Sequence, residues 1–270
     1  MIGDCEVLEV IRRILTSPPD VLSGFTQPLA MFNATSKHAS TLARIKSRMR
    51  IALLMSLQDS QGRPLRDLRI SITDRCNFRC TYCMPRDKFG PGHTFLGKEE
   101  ILSYEEMAKV VASLLPLGLA KVRITGGEPL LRRDVHVLLR LLRELDPDLD
   151  IAMTTNGVLL QRHAEMLLKS GLSRVTVSLD AVEEELFQTI TDSKNTPSQI
   201  FEGIDLAQQI GLTVKVNCVV KKGVNESQIV PLAKACMERD IPVRFIEFMD
   251  VGTTNNWNLD AVISGKEMRD

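Results

Sequence analysis

Short apolar segments rich in β-branched residues alternate with longer amphipathic segments along most of the chain. Gly118, Gly171 and Gly211 each follow an amphipathic segment and precede an apolar one, which is where helix C-terminal caps are expected. The pattern predicts βαβ units and a parallel sheet from Leu65 onward. The predicted strands are Leu68–Thr73, Lys121–Thr125, Ile151–Thr155, Arg174–Leu179, Thr213–Val220 and Val243–Phe248. The predicted helices are Tyr104–Leu115, Val135–Leu145, Leu159–Ser170, Ser198–Ile210 and Gln228–Arg239.

Six predicted strands are too few for a closed barrel of eight strand–helix units. The predicted fold class is therefore α/β, with either an open partial barrel or a doubly wound sheet. In both architectures ligands bind at the carboxyl ends of the strands, and polar or small residues follow most of the predicted strands here. These residues are Asp74-Arg75-Cys76, Gly126-Gly127-Glu128-Pro129, Thr154-Thr155-Asn156-Gly157, Ser178 with Asp180, and Glu247 with Met249.

The first 60 residues differ from the rest of the chain. Residues 21–58 contain no Asp or Glu but several basic and hydroxyl side chains, a bias typical of organellar presequences. Asp4, Glu6 and Glu9 count against that interpretation. We expect residues 1–60 to form a poorly ordered or helical extension, residues 61–250 to form the core, and residues 251–270 to begin a C-terminal region.

The composition is that of an ordinary globular protein. Of the 270 residues, 44% are hydrophobic and 25% charged, with 34 basic and 34 acidic side chains and a net charge of +0. These values indicate neither wholesale disorder nor nucleic acid as the main partner. No apolar run of about 18 residues predicts a membrane span. Six cysteines are too few for a disulfide scaffold, so we expect a reducing, cytoplasmic location, with the mitochondrial matrix as the alternative.

Cys76, Cys80 and Cys83 form a C-x3-C-x2-C motif directly after the first predicted strand. Three thiolates at this spacing can hold one side of a metal centre and leave a coordination position open. Thiolates are soft ligands, which favours an iron–sulfur cluster or zinc. The favoured interpretation is an iron–sulfur cluster. The alternatives are a zinc site completed by His93 and a chance grouping of buried cysteines.

The motif resembles that of the radical S-adenosylmethionine (SAM) superfamily, in which an aromatic residue, here Tyr82, precedes the last cysteine. Further segments are similar to one member family, the GTP 3′,8-cyclases of molybdenum cofactor biosynthesis. The resemblance extends from about Gln61 to Met268. The segments that carry it are Gly62–Ser71, Thr73–Cys76, Cys83–Pro85, Arg123–Leu130, Thr154–Gly157, Val177–Asp180, Val214–Asn217 and Arg244–Met249.

The resemblance implies a (β/α)6 partial barrel in which Cys76, Cys80 and Cys83 hold a 4Fe–4S cluster and SAM binds the open iron. An electron from the cluster cleaves SAM to methionine and a 5′-deoxyadenosyl radical. That radical takes hydrogen from C3′ of GTP, and C3′ then attacks C8 of guanine. The implied enzyme is a lyase that uses no side chain as a direct acid or base.

The resemblance also implies two sets of contact residues. Small or polar side chains at strand ends suit SAM, because glycine lets a ligand approach the backbone and a hydroxyl can bond a carboxylate. Cations suit the triphosphate, because a guanidinium offers a bidentate fork and an ammonium a point charge. The matching SAM residues are Tyr82, Gly127, Ser178 and Met249. The matching GTP residues are Arg69, Arg123, Thr154, Lys215 and Arg244.

The family has a C-terminal region with three further cysteines for a second 4Fe–4S cluster, and these 270 residues do not include it. We therefore expect this chain to hold the first cluster and SAM but to cyclise GTP weakly or not at all. The implied partners are an electron donor such as a flavodoxin-type reductase, the next enzyme, cyclic pyranopterin monophosphate synthase, and a second copy of the chain in a homodimer. No nucleic acid or membrane is expected.

Three other functions remain open at this stage. A radical SAM enzyme with another substrate would not need the cations Arg69, Arg123 and Lys215. A SAM-binding remnant without catalytic activity would account for the missing cysteines. A zinc-binding structural protein would need a fourth ligand for the metal.

Overall fold

The structure is a computed structural model, of which residues 58–250 and 257–270 are described. These residues contain a six-stranded parallel sheet. The strands lie side by side in chain order. They are β1 Asp67–Ser71, β2 Lys121–Thr125, β3 Asp150–Thr155, β4 Arg174–Ser178, β5 Thr213–Val220 and β6 Val243–Glu247. The helices between them are α1 Tyr104–Leu114, α2 Val135–Leu145, α3 Leu160–Lys169, α4 Glu184–Thr191, α5 Pro197–Gln209 and α6 Ile229–Met237.

The strand order identifies the architecture. In a doubly wound sheet the strand order reverses at a switch point. Here each strand from β2 to β6 pairs in parallel with the strand that precedes it in the chain, so the order does not reverse. Within the described residues β1 and β6 are the two edges. The α/β class and the open partial barrel predicted from the sequence are confirmed, and all six predicted strands are present within a residue or two of their predicted ends.

The sheet has two chemically different faces, because successive side chains on a strand point to opposite sides. On one face, side chains such as Val122, Ile124, Val175 and Val177 are completely buried. The other face carries most of the polar side chains of the strands, and we call it the polar face. Its polar residues are Asp67, Arg69, Ser71, Lys121, Arg123, Thr125, Asp150, Thr154, Arg174, Thr176, Ser178, Thr213, Lys215, Asn217 and Arg244.

Helix α4 was not predicted from the sequence. It has only eight residues, and its threonines and isoleucine have poor helix propensity. Packing stabilises it instead, since Phe187 and Ile190 are 1% and 2% exposed. The helix ends at Asp192, which adopts a left-handed conformation with φ of 46°. No helix within the described ranges is both long enough and apolar enough to cross a lipid bilayer.

The chain divides into two compact units, one of residues 1–65 and 112–118 and the other of residues 66–111 and 119–270. In the first unit, an ion pair of 2.6 Å between Arg63 and Asp59 closes a short turn. The expected N-terminal extension falls almost entirely on residues 1–57, outside the described part.

The second unit contains the sheet. Residues 257–270 belong to it, because Val262 forms an antiparallel bridge to Lys221 and the Gly265 N–H donates to Glu247 at 2.5 Å. The last described residues therefore pack against the carboxyl ends of β5 and β6.

Candidate functional site

The three cysteines of the motif lie between β1 and α1, in a segment that we call the cysteine loop, residues 74–85. Cys76, Cys80 and Cys83 all line one cavity of about 180 Å3 next to the ends of β1 and β2. The structure thus brings the predicted metal ligands to the carboxyl edge of the sheet. The other residues that line the cavity are Ser71, Thr73, Asp74, Phe78, Met84, Gly126 and Gly127.

Hydrogen bonds to α4 hold the backbone of the cysteine loop. The Arg79 and Thr81 N–H groups donate to the carbonyls of Thr191 and Ile190, at 2.9 and 3.0 Å. These carbonyls are at the C-terminal end of α4, where a helix leaves its last acceptors without intrahelical partners. The unpredicted helix therefore fixes the loop that carries the cysteines.

The side chain of Arg79 stabilises the same loop from within. Its guanidinium donates to the carbonyl oxygens of Cys76, Phe78 and Phe89, each at 2.8 Å. It also lies over the ring of Phe95, at 5.5 Å from the ring centroid. One cation thus satisfies three carbonyls of an irregular segment, which reduces the freedom of the first cysteine to move.

Burial is the main cause of the raised pKa of all three cysteine thiols. The charge of Asp180 raises the pKa of Cys80 and Cys83 further, and that of Cys83 raises the pKa of Cys76 and Cys80. Cys76 and Cys80 are partly buried and Cys83 is more exposed. Three thiols that share one cavity suit a cationic group, because binding to a metal removes the thiol protons and offsets the cost of burial.

The donor set of three thiolates is compatible with an iron–sulfur cluster, because thiolates are soft ligands. Among residues 58–250 and 257–270, no three His, Cys, Asp or Glu side chains converge closely enough to hold one metal ion. A cluster of several irons spreads its thiolate ligands more widely than one tetrahedral ion does. His93 packs between Phe89 and Phe95, with ring centroids 4.7 Å apart in each case. This geometry does not favour the Cys3His zinc alternative.

Gly126 and Gly127 allow the loop after β2 to lie against the cysteine loop. The Gly127 N–H donates to the Thr73 carbonyl at 2.7 Å, and a Cβ on Gly127 would collide with the carbonyl group of Arg75. Gly126 has φ of 152°, and a Cβ there would lie 2.5 Å from the Thr73 oxygen. The backbone of Thr73 and Arg75 therefore occupies the space where side chains at these two glycines would lie. Gly127 also lines the cysteine cavity.

Glu128 anchors the loop after β3 to the loop after β2. Its carboxylate is completely buried and accepts hydrogen bonds from the Thr155 hydroxyl and the Asn156 N–H, both at 2.7 Å, and from the Leu130 N–H at 3.0 Å. Burial raises the pKa of Glu128, and these three donors oppose the rise. The sequence contains Glu128 within the Gly-Gly-Glu-Pro segment, but nothing there showed which groups it would bind.

Tyr82, the aromatic residue of the cysteine motif, donates its hydroxyl to Asp180 at 2.5 Å. The other oxygen of Asp180 accepts the Val219 N–H at 2.8 Å. Burial raises the pKa of Asp180 to about 6 and that of Tyr82 well above its ordinary range. Asp180 thus connects the cysteine loop to β5. The sequence indicated only its place after β4, because its partners lie far away in the chain.

The predicted SAM residues occupy different parts of the site. Gly127 lines the cysteine cavity, and Tyr82 lies on the cysteine loop. Ser178 is on the polar face, where Asn217 is its register partner and Arg244 is the partner of Asn217. Met249 follows β6, with 56% of its surface exposed. Ser178 and Met249 do not line the cavity.

The predicted GTP residues all lie on the polar face. Arg69 and Arg123 are register partners on β1 and β2, so their backbones are about 4.8 Å apart. Thr154 and Lys215 lie in one row of the sheet with Thr176 between them. Arg244 lies one row nearer the carboxyl edge than Lys215. The structure therefore brings onto one surface residues that are widely separated in the sequence.

Two cations of the polar face are neutralised by acids on neighbouring strands. Lys121 pairs with Asp67 at 3.1 Å, and Arg174 pairs with Asp150 at 2.6 Å. The remaining four have no ion pair with a carboxylate in the described part of the chain, and they are the same four that were predicted to contact GTP. Those four are Arg69, Arg123, Lys215 and Arg244. Positive charges without an internal counter-charge favour an anionic ligand.

Sequence comparison places the chain beside known enzymes. Residues 70–236 match the sequence model of the Radical SAM superfamily. A GTP 3′,8-cyclase of Staphylococcus aureus is 49% identical over 216 residues, which cover 80% of this chain and 64% of that protein. The GTP 3′,8-cyclase of Staphylococcus epidermidis is 51% identical over 212 residues, covering 78% and 62%. The chain thus spans less than two thirds of the length of these relatives.

Structural comparison agrees on the fold. Streptococcus suis SuiB bound to S-adenosylmethionine aligns with a TM-score of 0.61 and 18% identity, covering 94% of this chain and 53% of SuiB. Native anSMEcpe with bound AdoMet aligns with a TM-score of 0.57 and 22% identity, covering 76% of this chain and 57% of anSMEcpe.

Proposed function

The chain belongs to the radical SAM superfamily, and from this we propose that it provides the cluster, SAM and triphosphate sites of a GTP 3′,8-cyclase. The observation that carries the proposal is the set of four cations on the polar face that lack a carboxylate partner among the described residues. The relatives named GTP 3′,8-cyclase support it, since half of their aligned residues are identical to this chain.

Cys76, Cys80 and Cys83 are the residues that would hold the 4Fe–4S cluster, and SAM is the second cofactor of the superfamily. When bound, the two supply a 5′-deoxyadenosyl radical that removes a hydrogen atom from the substrate. The chain's own contribution is positional. The cysteine loop donates hydrogen bonds to carbonyls of α4 and to Asp180, and Arg79 donates to its carbonyls. These bonds hold the loop at the edge of the sheet, so the cavity is formed by the fold itself.

The arrangement of the cations suggests how the triphosphate lies. Arg69 and Arg123 are adjacent and offer two guanidinium forks in one row of the sheet. Lys215 is in the next row and Arg244 in the row beyond, toward the carboxyl edge. We place the phosphates across these rows, with the nucleoside directed to the edge where the cysteine loop lies. The hydroxyl of Thr154, in the same row as Lys215, is an additional donor or acceptor.

The proposal is tested by measuring GTP binding to two arginine variants. Arg123→Ala removes a cation that has no carboxylate partner in the described ranges. Arg174→Ala removes a cation in the same row of the same face that already pairs with Asp150 at 2.6 Å. A hydrogen bond to a charged group contributes about 1.5–3 kcal/mol, so Arg123→Ala should weaken GTP binding by about 10- to 100-fold. Arg174→Ala should change it by less than about threefold.

Two comparisons complete the design. Guanosine should bind wild-type protein much more weakly than GTP, and Arg123→Ala should hardly affect that binding. Equal losses of GTP affinity in the two variants, or equal affinities for GTP and guanosine, would argue for a substrate without phosphates. Anaerobic reconstitution of the cluster, followed by its reduction in the presence of SAM and GTP, then distinguishes an active cyclase from a SAM-binding remnant without catalytic activity. Formation of 5′-deoxyadenosine with the cyclised nucleotide supports the cyclase, whereas SAM binding without cleavage indicates the remnant.

The remaining partners follow from the proposed reaction. The cluster requires an external one-electron donor, for which a flavodoxin-type reductase is the expected class. The product requires a second enzyme, which we expect to be cyclic pyranopterin monophosphate synthase.

A further inference from the structure

Asn156, directly after β3, directs its side-chain amide at the cysteine loop. The side chain is 9% exposed. Its Nδ2 donates to Asn77 Oδ1 at 2.8 Å and contacts Cys76 Sγ at 3.9 Å. Its Oδ1 accepts the Val158 N–H at 3.1 Å. A rotated amide would place two donors against each other at Val158, so the hydrogen-bond network requires Nδ2 to face the cysteine.

The position of Asn156 is fixed from the other side as well. Its backbone N–H donates to Glu128 at 2.7 Å, and the preceding Thr155 donates its hydroxyl to the same carboxylate at 2.7 Å. Glu128 is completely buried. The amide is therefore held before any ligand binds, which is the condition for a contact that sets the properties of a neighbouring group.

Cys76 is distinguished from the other two cysteines by its donors. Its sulfur accepts the Phe78 N–H at 3.4 Å in addition to the contact from Asn156. Within residues 58–250 and 257–270, the sulfurs of Cys80 and Cys83 accept no hydrogen bond from any side chain. Asn156 is thus the one side-chain donor that the described structure directs at a sulfur of the cysteine loop.

We propose that Asn156 is a positioning residue that raises the reduction potential of the cluster by donating an N–H to the sulfur of Cys76. The inference rests on the proposed assignment of Cys76 as a cluster ligand. Hydrogen bonds to cluster sulfurs draw electron density from them and stabilise the reduced, more negative state. Loss of the donor therefore lowers the potential and makes the cluster harder to reduce.

The test is the midpoint potential of the reconstituted protein, titrated without SAM or GTP and followed by electron paramagnetic resonance. Asn156→Ala removes the donor. Asn156→Asp keeps the shape and the acceptor for Val158 but replaces the donor with a carboxylate oxygen. The potentials should fall in the order wild type, Asn156→Ala, Asn156→Asp. The matched control is Asn77→Ala, which removes the other partner of the amide and should retain the wild-type potential.

Iron content separates this role from a purely structural one. A side chain that only supports the loop would lower the iron bound per chain and leave the potential of the assembled fraction unchanged, and that result would overturn the proposal. If Asn156→Ala binds no iron, the Asn156→Asp titration decides in the same way. A wild-type protein that assembles no cluster contradicts the proposed function itself, whereas equal potentials in all variants contradict only the role of Asn156.

Discussion

Replacing Glu128 should show how much of the protein's stability depends on the connection between the loops after β2 and β3. The carboxylate is completely buried and accepts three hydrogen bonds. In Glu128→Gln, one oxygen becomes an NH2 group. If the remaining oxygen faces Thr155 and Leu130, the new NH2 group faces the N–H of Asn156. One buried donor then loses its acceptor, at a cost of about 1–3 kcal/mol.

Glu128→Ala leaves all three donors without an acceptor and opens a cavity, so its cost should exceed about 3 kcal/mol. The free energy of unfolding is measured by urea denaturation of the cluster-free protein, followed by circular dichroism. The matched control is Glu165→Gln on α3, which removes an exposed ion pair to Lys169 at 3.1 Å and should cost less than about 0.5 kcal/mol. If the free energy of unfolding of Glu128→Gln lies within about 0.5 kcal/mol of the wild-type value, Glu128 does not anchor the loop after β3.

Two further changes test the cysteine loop. Burial raises the pKa of Asp180 to about 6 from 3.8, so folding favours its protonated form, and the contribution of Asp180 to wild-type stability should fall as pH rises from about 4 through 6, by up to ~3 kcal/mol. Asp180→Asn should remove this pH-dependent contribution. Parallel pH profiles of the free energy of unfolding, from urea denaturation of the two cluster-free proteins, would contradict a raised pKa of Asp180. Gly127→Ala places a methyl group against the Arg75 carbonyl and should cost about 1–3 kcal/mol and reduce bound iron. Gly92→Ala, with no neighbour within 4 Å of its Cβ and, like Gly127, no left-handed backbone conformation, is the matched control.

The periodic part of the fold was predictable because the strands alternate so regularly. Val214, Val216 and Cys218 alternate with Lys215 and Asn217, and that pattern predicts both the strand and its two faces. Helix α4 has no comparable signal, since it is short and rich in β-branched residues. Its two buried apolar side chains become informative only when the cysteine loop packs beside them.

In the site, features that depend on residues close together in the chain were predictable, and contacts between residues far apart in the chain were not. The cysteine spacing indicated the superfamily correctly, because that chemistry depends on residues close together in the chain. The hydrogen bonds of Tyr82 and of Asn156 to their partners join residues 98 and 79 positions apart. Such contacts depend on the register of the strands. For the same reason the sequence did not show that Arg174 would find a counter-ion in Asp150 while Arg123 would not.

The loop after β2 joins the cysteine loop to the loop after β3. Gly126 and Gly127 let the backbone of the cysteine loop lie against this loop, and Glu128, the next residue, fixes the loop after β3. Protein groups make all of these contacts, so the entropy of ordering the loops is lost when the chain folds and not when a ligand binds. A substitution that loosens this junction should therefore weaken cluster assembly and nucleotide binding together, although neither ligand need touch the residue that was changed.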